Sequence, residues 1–254
     1  KWVAGKAYSF FNRKDGLLVG ISKMGFTTSS TDNGKIWSMP GVPETLVTGK
    51  AKVWSQQTSD GRYALVYNPS TKTRFPLVVV TSDDGEHFKD MRIVQGELPI
   101  QRYEGKFRSV GPQYVRGISR WSDDGSRKDD HAMWLVYSMS KEDIWVSRVP
   151  LPVKTDETSG DITGFANWNT YRPKWTEVSA SADTLRLVDK EPYDYARATR
   201  VFREGEHVTA SFEIQGDPNR HDTLEVELLP KFGGARPVQL ELPAPGNWTP
   251  VKID

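Results

Sequence analysis

The 254-residue sequence contains no cysteine. This excludes disulfide bridges and a thiol nucleophile, but leaves the cellular compartment open. Its four histidines are far apart and show no H-x-x-H or H-E-x-x-H spacing, so we expect no metal site. Glycine-rich phosphate-binding and dinucleotide-binding motifs are also absent, and we expect no cofactor.

Long apolar runs and a strong net charge are missing as well. No segment reaches the roughly 20 apolar residues of a membrane span. The start, Lys1-Trp2-Val3-Ala4-Gly5, has neither an initiator methionine nor the features of a signal peptide, so we expect the natural N-terminus to be missing or processed. With 34 basic and 33 acidic residues the net charge is +1, which gives no long-range attraction to nucleic acid.

Aromatic residues, in contrast, are abundant: nine Trp, nine Tyr and ten Phe. Aromatic side chains are favoured in strands and also form stacking platforms for sugar rings. The hydrophobic content of 37% and the charged content of 26% are typical of a globular protein. The composition therefore fits a strand-rich protein, with or without a sugar site.

A short turn motif occurs twice, about 50 residues apart. Ser30-Thr31-Asp32-Asn33-Gly34-Lys35-Ile36-Trp37 fits S-x-D-x-G-x-x-W, and Thr81-Ser82-Asp83-Asp84-Gly85-Glu86-His87-Phe88 keeps Asp and Gly, with Thr in place of Ser and Phe in place of Trp. In such a turn the Asp side chain bonds backbone N–H groups and Gly supplies a positive φ. A repeat of this length indicates blades or solenoid units, and these Asp residues are structural candidates, not catalytic ones.

The two motifs resemble the Asp-box, or BNR repeat, of sialidase-type β-propellers. In that family the box lies at the outer turn of a blade, away from the substrate. Short strands between polar turns fill three sets from residue 1 to 153, and the first set includes a fourth strand at Lys35 to Ser38. Because three blades cannot close a ring, we expect an all-β fold that begins with part of a five- or six-bladed propeller.

The composition changes at Leu151 to Gly160, a polar stretch that is typical of a linker. Beyond it, clean alternation at Val208 to Ile214 and at Leu224 to Leu228 predicts half-buried antiparallel strands. We therefore expect a second domain over 154–254, a complete or incomplete β-sandwich. Its segment Trp175 to Ala198 resembles the lectin-type, laminin G or concanavalin-like sandwiches that accompany glycan-active propellers.

Strand order predicts where a site would be. If the strands of a blade are lettered a to d from the axis outward, both boxes lie at c–d turns, and the opposite rim is formed by b–c turns and d–a crossings. The crossing Gln101 to Arg108 is rich in groups that bind carboxylates or protonate a leaving oxygen. Tyr114 and Arg116 occupy alternate positions of a first strand and are expected to face the same way.

The candidate residues on this rim are grouped by their expected role. The alternative is that the crossing at 101–108 and the charged hairpin tip around Lys141 are exposed to solvent and bind no ligand. Expected catalytic residues are Glu104, Tyr114 and Asp143. Expected substrate-binding residues are Arg102, Arg108, Arg116, Lys141, Glu142, Trp54, Gln56, Asn68 and Lys23, and Lys52, Arg74 and Gln113 lie on the same rim.

The resemblance implies an extracytoplasmic, bacterial, glycan-active protein with carbohydrate as its partner. Sialidases use an arginine triad, a Tyr nucleophile assisted by Glu and an Asp acid/base, but the order and spacing of these residues are not reproduced here. We expect a glycoside hydrolase that binds an acidic glycan, with the remaining blades on the same gene product or a companion chain. A non-catalytic carbohydrate-binding propeller and a polysaccharide lyase are the alternatives.

Overall fold

The structure is a computed structural model, and every regular element in its described part is a β-strand. The described residues are 6–43, 45–48, 51–70, 73–118, 131–154, 164–165, 168–193, 195–200, 207–217, 223–228, 236–243 and 246–254. No helix that could cross a membrane occurs among them. Most of the predicted linker, from residue 155 onward, lies outside these ranges.

The first sheet has three antiparallel strands in sequence order, β1 (Ser9–Asn12), β2 (Leu18–Ile21) and β3 (Thr27–Ser30). No strand forms at 35–38, where the sequence predicts a fourth. The motif turn occupies that segment, and pairing resumes only at Ser38, whose N–H donates to the Ser29 carbonyl at 2.8 Å. A single isolated bridge between Thr27 and Gly41 follows.

The second sheet has the four predicted strands. They are β4 (Trp54–Gln57), β5 (Tyr63–Tyr67), β6 (Leu77–Ser82) and β7 (Lys89–Gln95), again antiparallel and in sequence order. All residues of β5 and β6 are buried, because this sheet is covered on both faces.

The third sheet is formed by β8 (Pro112–Ile118), β9 (Ala132–Met139) and β10 (Asp143–Pro150), in the order β10-β9-β8. The predicted strands are confirmed. However, a bulge between Gln113 and Arg116 shifts the register of β8 against β9, so the expected simple alternation of Tyr114 and Arg116 is interrupted.

Two apolar cores bind these sheets together. Tyr63 and Leu65 of β5 pack with Phe11 and Ile21 of the first sheet. Val66, from the other face of β5, packs with the third sheet through Val115, Met133, Leu135 and Tyr137. Successive residues of a strand point to opposite faces, and the four-stranded sheet therefore lies between the other two.

Both motif turns form side-chain-supported loops, but the second uses different residues from those that the sequence aligns. In the first turn, Ser30 Oγ donates to Asp32 Oδ1 at 2.7 Å and accepts from Gly34 N at 2.9 Å. In the second, Ser82 and Asp84 make the equivalent bonds at 2.8 Å each. The expected Thr81 and Asp83 do not, and Asp83 pairs instead with Lys89 at 2.8 Å.

The rest of the chain forms two-stranded antiparallel sheets. The compact unit Lys1–Phe202 also contains β11 (Asn169–Tyr171) paired with β14 (Arg197–Thr199), and β12 (Thr176–Ala180) paired with β13 (Leu185–Asp189). The unit Arg203–Asp254 pairs β15 (Ala210–Ile214) with β18 (Thr249–Ile253), and β16 (Thr223–Leu228) with β17 (Arg236–Glu241). The domain boundary expected at 153/154 stays a prediction.

Candidate functional site

Tyr114 of β8 lies among three cationic side chains, and we call these four residues the Tyr114 cluster. Arg74 Cζ is 5.1 Å from the centre of the Tyr114 ring, Lys52 Nζ is 5.3 Å away and Lys141 Nζ is 5.8 Å away. These distances are within cation–π range. None of the three cations forms an ion pair with a described carboxylate.

The backbone presents Tyr114 outward. Its φ of 62° lies in the left-handed region, which is unusual for an aromatic residue, and the residue is 38% exposed. The bulge after Gln113 explains the change of direction. The hydrogen bond from Arg74, together with the charges of Arg74 and Lys141, lowers the pKa of the Tyr114 phenol despite its partial burial.

Buried amides fix Arg74 in this cluster. Gln113 is fully buried, and its Oε1 accepts hydrogen bonds from the Arg74 guanidinium and from Ser109 Oγ. Asn68, which is 1% exposed, has its Nδ2 at 3.0 Å from the Arg74 carbonyl oxygen, 2.9 Å from that of Pro76 and 3.0 Å from that of Pro112. Asn68, expected to bind substrate, therefore supports the loop that carries Arg74.

A turn between β9 and β10 supplies Lys141. Ser140 and Lys141 have φ values of 51° and 58°, and Glu142 N donates to the Met139 carbonyl at 2.9 Å. Two central residues with positive φ define a type I′ turn, which normally uses Asn or Gly. Non-glycine residues in this conformation are typical of functional positions.

The same turn holds the crossing from β7 to β8 through Glu142, whose side chain is only 4% exposed. Its carboxylate accepts from Tyr103 N at 2.7 Å and from Arg102 N at 3.1 Å, and Arg108 lies at 4.0 Å. Burial acts to raise the pKa of Glu142, but these N–H donors and the Arg102 guanidinium outweigh it and lower the pKa. Glu142 thus fastens the crossing to the turn.

Several predicted residues meet here, and others do not. Arg102 also pairs with Asp143 at 2.7 Å, and Arg108 donates to the Lys141 carbonyl at 3.2 Å. Glu104 is exposed and makes no hydrogen bond or ion pair within the described residues. Arg116 donates to the Val115 carbonyl at 3.1 Å.

The remaining candidates serve other contacts. Trp54 Nε1 donates to Gln56 Oε1 at 2.9 Å, so these two side chains bind each other. Lys23 lies in the turn between β2 and β3, where its carbonyl accepts from Thr48 Oγ1 at 3.2 Å. Their predicted substrate contacts stay predictions.

The cluster lies at the opposite end of β6 from the second motif turn. Arg74 precedes β6 and Ser82 ends it, and the strand between them is itself about 17 Å long at the usual rise. Within this sheet the second motif turn and the loop that carries Arg74 therefore lie at opposite ends, and the prediction that the site is at the Arg74 end stays a prediction. Strand order places Arg74 and Lys52 on the same rim as the other candidates, but the sequence did not lead us to expect that they bind substrate.

No group of three or more potential metal ligands lies together in the described part of the chain. Tyr103 and Phe107, which are 58% and 77% exposed, add aromatic surface: the Tyr103 ring lies 5.4 Å from Arg108 Cζ, and the Phe107 carbonyl accepts from Lys141 Nζ. The arrangement combines cations, exposed rings and an ionisable phenol. It is suited to holding an anionic group of a ligand whose rings offer apolar faces.

Comparisons with known proteins relate the chain to sialidases. A family model described as "Sialidase-like, CBM domain" matches residues 168–248, which implies carbohydrate binding. A solved structure named "Sialidase" matches with 30% sequence identity and a TM-score of 0.59, over 98% of this chain and 25% of that one. The chain therefore spans about a quarter of the sialidase that it matches. No curated protein gives a match.

Proposed function

We propose that this chain is the part of a sialidase-related glycoside hydrolase that binds an anionic sugar at the Tyr114 cluster, with Tyr114 as nucleophile. One observation carries the proposal: three cations without a described carboxylate partner surround a single exposed tyrosine whose backbone is strained. The relation to a sialidase supports the reaction class.

The charge arrangement supports an anionic ligand. Lys52, Arg74 and Lys141 repel one another, and a carboxylate or sulfate group near the Tyr114 ring would relieve that repulsion. Arg74 offers a planar fork for such a group, and it is held in place by buried Gln113. The ligand's anionic group thus meets a prearranged site.

The chemistry follows from the phenol. Glycosidases that use a tyrosine nucleophile are known, and neighbouring cations favour the phenolate that attacks the anomeric carbon. The leaving oxygen needs a proton from an acid, and Glu104 and Asp143 are the candidates. Asp143 is already engaged by Arg102 at 2.7 Å, whereas Glu104 makes no hydrogen bond or ion pair within the described residues and is the first choice.

The proposal includes the wider architecture. The three sheets are blades of a five- or six-bladed propeller, whose other blades come from the same gene product or a companion chain, and the protein works outside the cytoplasm. Contacts between first strands support a common axis. Ser55 N donates to Ser9 Oγ at 2.8 Å between β4 and β1, and Trp54 of β4 lies against Gly117 of β8.

The test compares the wild-type protein with Tyr114→Phe, Arg74→Met and Tyr8→Phe, the last as a matched control. Methylumbelliferyl glycosides of sialic, glucuronic and galacturonic acid are the substrates, and calorimetry measures the binding of the free acidic sugars. We expect Tyr114→Phe to lower turnover at least about a hundredfold while binding persists. Arg74→Met should weaken binding, and the loss should shrink as salt screens the charges. Wild-type turnover in Tyr114→Phe would reject the assignment.

A polysaccharide lyase is the second candidate, because a tyrosine with a lowered pKa beside cations is also what proton abstraction next to a uronate carboxylate requires. The described side-chain hydrogen-bond partners of Tyr114 are Arg74 and Lys141, and a lyase, unlike a hydrolase whose tyrosine nucleophile is assisted by Glu, needs no carboxylate beside the phenol. A lyase releases an unsaturated product that absorbs in the ultraviolet. Binding without any product would identify a non-catalytic protein.

A further inference from the structure

Four described aromatic residues in the region that matches the carbohydrate-binding module are exposed, and three of them belong to the compact unit Lys1–Phe202. Trp175 is 58% exposed, Tyr193 is 79% exposed and Tyr195 is 57% exposed. Large aromatic side chains usually bury most of their surface. We call these three residues the aromatic patch.

One corner of the chain anchors the backbone beside all three residues. The Asp189 carboxylate, at the end of β13, accepts from Glu191 N at 2.8 Å and from Ala196 N at 3.1 Å. Lys190 N donates to the Trp175 carbonyl at 3.2 Å. The turn before β12 and the segment that carries both tyrosines are therefore fixed to Asp189 and Lys190.

Trp175 is held in an unusual conformation. Its φ of 68° is in the left-handed region, where a bulky side chain is an outlier. Thr176 N donates to the Pro173 carbonyl at 3.0 Å and closes the turn, while Lys174 Nζ lies 4.4 Å from the centre of the Trp175 ring. Such strain is typical of positions where a side chain is presented for function.

Tyr195 is oriented by Arg197. The Arg197 guanidinium carbon lies 5.0 Å from the Tyr195 ring and 4.8 Å from the Tyr171 ring, and Nη1 donates to the Tyr195 hydroxyl at 3.2 Å. Glu97 binds Arg197 Nε at 2.6 Å, and the Leu98 carbonyl accepts from Nη2 at 2.9 Å. Because Glu97 compensates the charge, Arg197 positions the ring without adding a free cation.

We propose that the aromatic patch binds the apolar faces of neutral sugar rings in a polysaccharide and is a second glycan site, separate in chemistry from the Tyr114 cluster. The proposal rests on the carbohydrate-binding part of the proposed function and does not depend on catalysis. Stacking on rigid aromatic side chains is largely insensitive to salt. Binding at the Tyr114 cluster, in contrast, should weaken as salt rises.

Affinity electrophoresis of the whole protein tests the proposal, in gels that contain neutral soluble glucans, mannans, xylans or galactans. We expect retardation by at least one of these polymers at both low and high salt. Tyr193→Ala, at the most exposed ring, should weaken retardation about two- to tenfold, and Trp175→Ala/Tyr195→Ala should weaken it further. Trp175→Phe and Tyr195→Phe keep a ring and should retain most of it.

Trp248→Ala is the matched control, because Trp248 is also exposed, at 54%, and lies at the end of the same matched region but in the other compact unit, outside the aromatic patch. Its retardation should equal that of the wild type. The proposal is overturned if the wild type binds no neutral polymer, or if Tyr193→Ala and the double variant both migrate like the wild type. If Arg74→Met loses the binding of acidic sugars but is still retarded by neutral polymers, the loss belongs to the Tyr114 cluster and the proposal for the aromatic patch stands.

Discussion

Tyr114 combines an exposed phenol, a left-handed backbone and three neighbouring cations. Two of these features are unfavourable by themselves. The backbone strain costs of the order of 1 to 3 kcal/mol, and the neighbouring like charges repel one another. The core does not need a tyrosine at this place, since the side chain is not buried. The proposed function gives the phenol and the cations a role at this place, as the groups that hold the ligand.

The Tyr114 pKa gives the first prediction. Arg74 lowers this pKa through a hydrogen bond and its charge, because both favour the phenolate. Arg74→Met should therefore raise the pKa of Tyr114. Titration of proteins with ¹³C-labelled tyrosine, followed by NMR, measures it. Lys89→Met, which removes a cation beside Asp83, is the control, and an unchanged Tyr114 pKa in Arg74→Met would contradict the interpretation.

Asp84 of the second motif turn gives a prediction about stability and pH. Burial acts to raise its pKa, but N–H donors of His87 and Glu86, the His87 side chain and Ser82 outweigh it, and the folded-state pKa is lowered. The stabilisation is therefore present above the ordinary Asp pKa of about 3.9 and is lost as the pH falls through the lower, folded-state value.

Asp84→Asn should accordingly be less stable than the wild type near neutral pH, and the two should converge in acid. Denaturant midpoints measured from about pH 7 down to about pH 2 test this. Asp83→Asn is the matched control, because within the described ranges the ion pair of Asp83 is an exposed one with Lys89. A larger loss in Asp83→Asn than in Asp84→Asn would support the residue alignment expected from the sequence over the one in the structure.

At the scale of elements, the strands of the second and third sheets could be predicted because their apolar runs end at clear Asp-Gly or polar turns. The strand prediction was wrong where side-chain hydrogen bonds, and not backbone pairing, determine the conformation of the segment. At 35–38 the Asp32 carboxylate accepts from Ile36 N at 2.8 Å and keeps the segment in a turn. The bulge in β8 depends on contacts with another loop, through Gln113 and Arg74, and no local pattern encodes it.

The contact between first strands yields a further prediction. A Cβ on Gly117 of β8 would clash with the Trp54 indole of β4. Gly117→Ala should therefore destabilise the protein by about 1 to 3 kcal/mol, measured by denaturant unfolding. The control is Gly41→Ala, where a Cβ would meet nothing within 4 Å. The smaller side chain without a ring in Trp54→Leu/Gly117→Ala should recover part of the loss.

At the scale of the molecule, the candidate site is where segments from different sheets meet. Strand order predicted that Tyr114, Lys141 and the Arg102 crossing share one rim. In the structure Lys141 lies 5.8 Å from the Tyr114 ring and Arg102 pairs with Asp143, so these segments meet. Strand order could not predict that the Asn68 side chain is buried. That burial depends on Pro112 of the next sheet, whose carbonyl oxygen accepts from Asn68 Nδ2. Sequence shows which end of a sheet a side chain is on, while its partners are decided by packing between sheets.

The two compact units differ in how much apolar surface they bury. In the described part, the unit Arg203–Asp254 has two buried hydrophobic residues, Ile214 and Ile253, each 8% exposed. The unit Lys1–Phe202 has two extended apolar cores. Because local stability follows buried apolar contacts, we expect amides of β15 and β18 to exchange with solvent at least about tenfold faster than those of β5 and β6.

Hydrogen exchange followed by mass spectrometry measures this on the intact protein. β5 and β6 should exchange only through global unfolding, since every residue in them is buried. Adding denaturant should then speed exchange in β5 and β6 steeply, because global unfolding exposes much surface, and speed it little in β15 and β18. Equal rates with equal denaturant dependence in all four strands would mean that the two units unfold as one cooperative body.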